Sequence, residues 1–245
     1  MKKILLLLSV CLFLSVSSMA RTYVLVTGVS SYQNSEMNLS QTTKDAKEFR
    51  KVIETQTKDV TLLTSKYANK ENILEKLQAI CNRAGENDRI VFFYSGHGAR
   101  GGLYVYDGFL LYLDLINTLN TSKAKEKFVF VDACNAGSVN INVQVNREAA
   151  SLNDDAEGTD ITFMVSSRGD EFSMEGTAVG ASFFTQALLK GMRGKADDNS
   201  DKLVTVKELF KYVYNDVTRR TKSRQHPQLI APKEMIDVVV MDWTK

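Results

Sequence analysis

Cysteine is scarce in this sequence: three in 245 residues, at Cys11, Cys81 and Cys134. A chain with so few cannot be a disulfide-stapled scaffold and must stand on a hydrophobic core, which its length allows as a single domain. Histidine is scarcer still, with only His97 and His226, so any imidazole chemistry has two candidates. Proline occurs twice and no internal repeat is present. Neither sign of charge dominates, with 31 Lys and Arg against 29 Asp and Glu. Two of the basic residues, Lys2 and Lys3, lie at the extreme N-terminus, and without them the charges balance. That balance argues against a nucleic-acid surface.

Only one long apolar run is present, Ile4 to Val16. It follows Lys2 and Lys3 and precedes the small-residue site Ser18-Met19-Ala20, the layout of a secretion signal. The run is too short and wrongly flanked for a membrane span. Residues 1–20 are therefore expected to be removed, leaving 21–245 as an exported chain, periplasmic, extracellular or at the surface. Leu8-Ser9-Val10-Cys11 has the outline of a lipoprotein site, but Val10 is bulky where a small residue is needed, so that variant is set aside.

Along the remaining chain, short buried runs alternate with amphipathic stretches. Tyr23 to Val29, Val60 to Leu63, Ile90 to Tyr94, Lys127 to Val131 and Ile161 to Val165 read as strands. Ala46, Phe49, Val52 and Ile53 recur at helical spacing, and Ile73, Leu74, Leu77, Ile80, Cys81 and Ala84 form a second apolar stripe. Leu111 to Leu119, Phe183 to Met192 and Val206 to Val217 are further helices. Asp107-Gly108 predicts a hairpin, and Ile236 to Met241 is expected to close the sheet. Alternating strands and helices predict an α/β sandwich around a mostly parallel sheet. Ser138 to Thr159 is polar and without a buried period, so it reads as a flexible loop over about 138–159. Arg168 to Gly180 is a second irregular segment.

The chemistry-bearing residues stand at two strand ends. Tyr94-Ser-Gly-His-Gly98 places His97 between glycines just past one strand, and Asp132-Ala-Cys-Asn-Ala-Gly137 places Cys134 just past another. Open α/β sheets put their active sites beyond such strand ends. A thiol and an imidazole are the minimum for covalent acyl transfer. The plain alternative is a buried inert cysteine beside a loop histidine; Cys81, on an apolar helix face, is read that way. His226 is read as a loop residue.

These two segments, with Thr43-Lys-Asp-Ala46 and Gly180-Ala-Ser-Phe-Phe-Thr-Gln-Ala-Leu-Leu189, resemble the caspase–metacaspase family of cysteine peptidases over about Val24 to Val240. The resemblance implies a caspase-like three-layer sandwich, α/β, with a mostly parallel six-stranded sheet and helices on both faces. It implies that Cys134 attacks a peptide carbonyl, that His97 carries the proton, and that the amides of Gly98 and Cys134 form the oxyanion hole. It also implies that Asp132, Asp45 and Ser95 line the pocket for the residue before the scissile bond. Acidic residues there predict cleavage after Arg or Lys, whereas caspases proper cut after Asp. Thr42 stands where some metacaspases carry cysteine. Each pocket residue has a plainer use: Asp45 near a helix start, Ser95 on local backbone, Asp132 on loop amides.

Asp197 to Glu208 sets oxygen donors at Asp197, Asn199, Asp201, Thr205 and Glu208, the pattern of a calcium loop. Lys202 replaces the glycine of that pattern, and Thr205-Val-Lys-Glu208 is also a capping box that needs no metal. Calcium is thus a candidate ligand, and the chemistry itself needs no cofactor. The expected partners are peptides or proteins with Arg or Lys before the scissile bond, and the chain is expected to be monomeric. The loop after Cys134 holds one basic residue, Arg147, predicting self-cleavage there. The rival from another class is a silent binding module that keeps the fold without turnover.

Overall fold

The computed structural model describes residues 20–99, 101–133, 160–167, 175–176 and 181–245, with 175, 176 and 181 in backbone only. Cys134, Arg147 and the 138–159 segment lie outside the described residues.

In chain order the first half is β1 (Thr22–Gly28), α1 (Thr42–Ile53), β2 (Val60–Thr64), α2 (Lys70–Arg83) and β3 (Arg89–Ser95). A small three-stranded sheet follows, β4 (Gly98–Ala99), β5 (Gly102–Val105) and β6 (Gly108–Leu111), then α3 (Tyr112–Asn120) and β7 (Glu126–Asp132). The second half has β8 (Ile161–Val165), β9 (Glu175–Gly176), β10 (Ala181–Ser182), α4 (Phe183–Lys190) and β11 (Leu203–Thr205). It ends with α5 (Val206–Arg220), β12 (Gln228–Ile230) and β13 (Val239–Asp242).

The central sheet has six strands in the order β12-β8-β7-β3-β1-β2. All pairings are parallel except β12 against β8. In β1, β3 and β7 every residue after the first is buried, the pattern of strands covered on both faces. Alternation divides their side chains. Phe92, Tyr94, Val129 and Val131 pack with Ile73, Leu77, Leu115 and Leu119 of α2 and α3. Val91, Phe93, Phe128 and Phe130 pack with residues of α1, α4 and α5 on the other face.

Helix α1 shows how closely the layers meet. Its apolar positions Ala46, Phe49, Val52 and Ile53 are buried. Phe49 stacks on Phe93 at 4.2 Å between ring centroids and tilts against Phe130 at 5.8 Å. Gly28 ends β1 because a Cβ there would lie 2.6 Å from both Ala46 Cβ and Thr42 O. A side chain at that position would push α1 off the sheet.

One expectation needs correction. The apolar run near the C-terminus does not close the central sheet: β13 pairs with β11 in a separate two-stranded sheet. The edge is closed by β12, where Gln228, Leu229 and Ile230 run antiparallel to Val165, Met164 and Phe163. Flanked by Pro227 and Pro232 and only three residues long, β12 has the brevity typical of an edge strand. The hairpin is present as expected, with Val105 opposite Gly108, whose φ is 150°.

Candidate active site

Parallel pairing sets Gly28, Ser95 and Asp132 side by side at the C-terminal ends of β1, β3 and β7. This is the edge where an open α/β sheet offers a crevice. The main chain stays in register one step further: Val29 N–H donates to Ser95 O at 2.9 Å, and Gly96 N–H to Asp132 O at 3.1 Å.

His97 follows directly and is held from four directions. Its N–H donates to the Tyr32 hydroxyl at 2.9 Å. Its carbonyl accepts from the Tyr94 hydroxyl at 2.8 Å and from Tyr104 N–H at 3.0 Å. Its ring lies 5.3 Å from the Tyr32 ring, tilted by 40°. Its Nε2 lies 2.8 Å from Met37 O. A carbonyl can only accept, so in the neutral ring Nε2 carries the hydrogen and Nδ1 keeps the lone pair. Met37 belongs to a turn at Ser35–Met37 that Asn34 caps through Glu36 N–H, and Asn38 Oδ1 accepts from Tyr32 N–H at 2.9 Å. Gly96 makes the clamp feasible, because a Cβ there would sit 2.3 Å from Tyr94 Oη and 3.0 Å from Tyr32 Oη. Burial pushes the Tyr32 phenol up to about 12 and the Tyr94 phenol well above its ordinary value, so both hydroxyls stay protonated.

Asp45, Ser95 and Asp132 are all buried, at 2%, 2% and 4% exposure. Ser95 Oγ donates to Asp45 Oδ2 at 3.3 Å. Ser95 and Asp132 are register partners and share the sheet face of Phe93 and Phe130, the one that α1 and α4 cover. Asp132 Oδ2 accepts from Thr185 N–H at 3.2 Å, from Thr185 Oγ1 at 2.5 Å and from Ser182 Oγ. It therefore sits at the N-terminus of α4, where the helix dipole favours a carboxylate. Gly98 opens β4 beside His97, opposite Leu103. Cys134 is one residue beyond the described end of the β7 segment.

The other sequence candidates fall elsewhere. Cys81 packs in the α2 face of the core, and burial raises its thiol pKa, which suits an inert thiol. His226 lies against Tyr214 of α5 at 6.3 Å between ring centroids. In the Asp197–Glu208 loop most of the candidate oxygens turn to the chain's own groups, whereas Asp197 Oδ1 is buried without a hydrogen-bond partner. Glu208 Oε2 accepts from Thr205 N–H and Oγ1, and its Oε1 accepts from Asp198 N–H. Asp197 Oδ2 accepts from Lys202 N–H, and Lys211 Nζ sits 2.5 Å from Asp198 Oδ2. Among the described residues no three acidic, histidine or cysteine groups gather around a metal position. Thr205 and Glu208 close the capping box of α5, Asn199 and Asp201 accept from Asp201 N–H and Leu203 N–H, and calcium enters no step below.

Sequence reasoning missed Met37 and the tyrosine clamp. A backbone carbonyl leaves no residue-type signal, although Tyr94 and Gly96 beside a candidate histidine hint at a close contact. It also missed Ser182 and Thr185 as the partners of Asp132, which arrive from fifty residues away.

The caspase domain model matches residues 21–234. No curated protein matches the chain by sequence. Among solved structures it resembles protein GSU0716 of Geobacter sulfurreducens, with a TM-score of 0.66 at 16% identity, covering 91% of this chain and 98% of that one. It also resembles caspase-1 of Spodoptera frugiperda, with a TM-score of 0.63 at 17% identity and 92% coverage of each chain. At such identities the likeness is one of fold. Among the described residues no helix is long and apolar enough to cross a membrane.

Proposed function

The chain belongs to the caspase domain family, and on that premise we propose that it is an exported cysteine endopeptidase cutting after Arg or Lys. The observation that carries the reading is the clamped His97, whose Nε2 is engaged by Met37 O so that Nδ1 is the atom available for a proton. In this reading the Cys134 thiol gives its proton to Nδ1 and the thiolate attacks the scissile carbonyl. The Gly98 and Cys134 amides receive the oxyanion, each donor lowering the barrier by on the order of 3 kcal/mol. Imidazolium then returns the proton to the departing amine, and water releases the acyl-enzyme by the same route in reverse.

Preference for a basic side chain follows from two buried carboxylates: Asp45 of α1, which accepts from Ser95 Oγ, and Asp132, the register neighbour of Ser95 at the end of β7. A buried carboxylate is most favourable with a cationic or hydrogen-bonding partner, and a substrate guanidinium or ammonium supplies charge as well. Asp132 has a second duty in this scheme, because it also holds the start of α4.

A reactive probe built on an Arg-ending peptide tests the reading. The expected result is labelling of Cys134 alone, lost in His97→Ala and in the presence of excess Arg peptide. Labelling of Cys81, or no labelling of a folded protein that still binds the peptide, would favour a binding module without turnover.

A further inference from the structure

We propose that Ser166, supported by Gln225, is a positioning residue that sets the backbone from which the nucleophile projects. The inference rests on the reading of Cys134 as that nucleophile. The regular pairing of β7 with β8 ends at Val131 opposite Val165, and Ser166 N–H still reaches Val131 O at 2.9 Å. One step further a side chain replaces the ladder. Ser166 Oγ accepts from Ala133 N–H at 3.1 Å and donates to Ala133 O at 2.8 Å. One hydroxyl thus fixes both polar groups of the residue immediately before Cys134. Ser167 Oγ adds a longer contact to Ala133 O at 3.4 Å.

Ser166 is itself held by a chain of bonds from α5. Gln225 Nε2 donates to Ser166 O at 2.7 Å, Gln225 N–H donates to Thr221 Oγ1 at 3.3 Å, and Thr221 Oγ1 donates to Val217 O at 2.8 Å. Ser166, Ser167, Thr221 and Gln225 are each 0% exposed and Ala133 is 2% exposed, so water does not substitute for these bonds. The arrangement mirrors the clamp on His97. There, hydroxyls hold the backbone of the imidazole; here, a hydroxyl holds the backbone leading to the thiol. Apolar packing alone at this place would not call for a serine whose donor and acceptor both go to one residue.

The consequence is catalytic as well as structural, because displacement of a reacting group by about 1 Å can cost on the order of 100-fold in rate. Ser166→Ala should lower kcat about 10- to 100-fold on an Arg-ending peptide while KM stays within about threefold. Gln225→Leu should act in the same sense with a loss of about three- to tenfold. The second readout is the pH profile of Cys134 alkylation by iodoacetamide, followed by mass spectrometry with Cys81 as internal reference. It should move to higher pH in Ser166→Ala, as the thiol loses its alignment with His97, and it needs no substrate. A folded Ser166→Ala protein with kcat within twofold of wild type and an unmoved profile overturns the proposal, as does a loss confined to KM. If Ser166→Ala does not fold, Gln225→Leu decides by the same two readouts. Cys134→Ala is run alongside: if it keeps turnover, the nucleophile reading fails, whereas a dead Cys134→Ala beside an unchanged Ser166→Ala sinks only the positioning claim.

Discussion

The ends of β3 and β7 lie side by side, yet they are secured by different chemistry. At the β3 end, His97 is fixed by neutral groups: two tyrosine hydroxyls, a backbone N–H and the carbonyl of Met37. At the β7 end, Asp132 brings a negative charge and meets it with two hydroxyls and the N-terminus of α4. The contrast suits the two tasks proposed for these residues. A proton carrier must present one ring nitrogen in a fixed direction, and the Met37 carbonyl and the Tyr32 hydroxyl hold His97 for that. The residue proposed to select a cation has its carboxylate held in place by donors at the start of α4.

Removing the imidazole should break the β3 end most completely. His97→Ala is expected to cut turnover by on the order of 1000-fold or more with the fold intact by circular dichroism. Cys134→Ala should do at least as much, and a variant of either residue with full activity would remove the dyad from consideration.

The proposed dyad also bears on the segment that follows Cys134. Wild-type protein on prolonged incubation should yield a fragment beginning at Glu148, cut after Arg147, while Cys134→Ala stays whole by intact mass. A wild type that is uncut and fully active would make this segment a specificity or regulatory element.

At the β7 end the effect should be smaller and of two kinds. Asp132→Ala should lower stability by about 1–3 kcal/mol, because Ser182 and the Thr185 groups lose their acceptor. It should also cost more on Arg-ending than on uncharged substrates, since a desolvated charge pair is lost with it. Stability loss with equal losses on both substrates would leave Asp132 as a cap for α4 and nothing more.

The tyrosines give the mildest test, through pH. The Tyr32 phenol is raised from 10.0 to about 12 by burial, with the hydrogen bonds to His97 and Tyr94 opposing. A group with a raised pKa lends stability that is full below its unfolded value and is lost as pH rises through the folded value. Stability should therefore decline between about pH 10 and 12, and Tyr32→Phe should flatten that decline in urea melts at stepped pH.

The difference between the two strand ends also explains what could be read beforehand. Strands β3 and β7 were legible because each is a short apolar run ended by Gly-His-Gly or Asp-Ala-Cys, and the helical stripes of α1 and α2 were equally plain. The hydrophobic run at Ile236 to Met241 was legible as a strand but not as a partner of β11, since periodicity reports burial and not which neighbour provides it. Strand β12 was hidden by its three-residue length between prolines. The company of Asp132 and the clamp on Ala133 were hidden because Ser182, Thr185, Ser166 and Gln225 are hydrogen-bonding residues of ordinary types brought in by topology. Met37 acts through its backbone, where side-chain identity carries no signal.

The most direct test of the account is kcat/KM for three peptides that differ only in Arg, Lys or Asp before the scissile bond, with Cys134→Ala as blank. The account predicts cleavage of the Arg and Lys peptides, with the Asp peptide slower by on the order of 100-fold or more. Preference for Asp, or equal hydrolysis by wild type and Cys134→Ala, would contradict it.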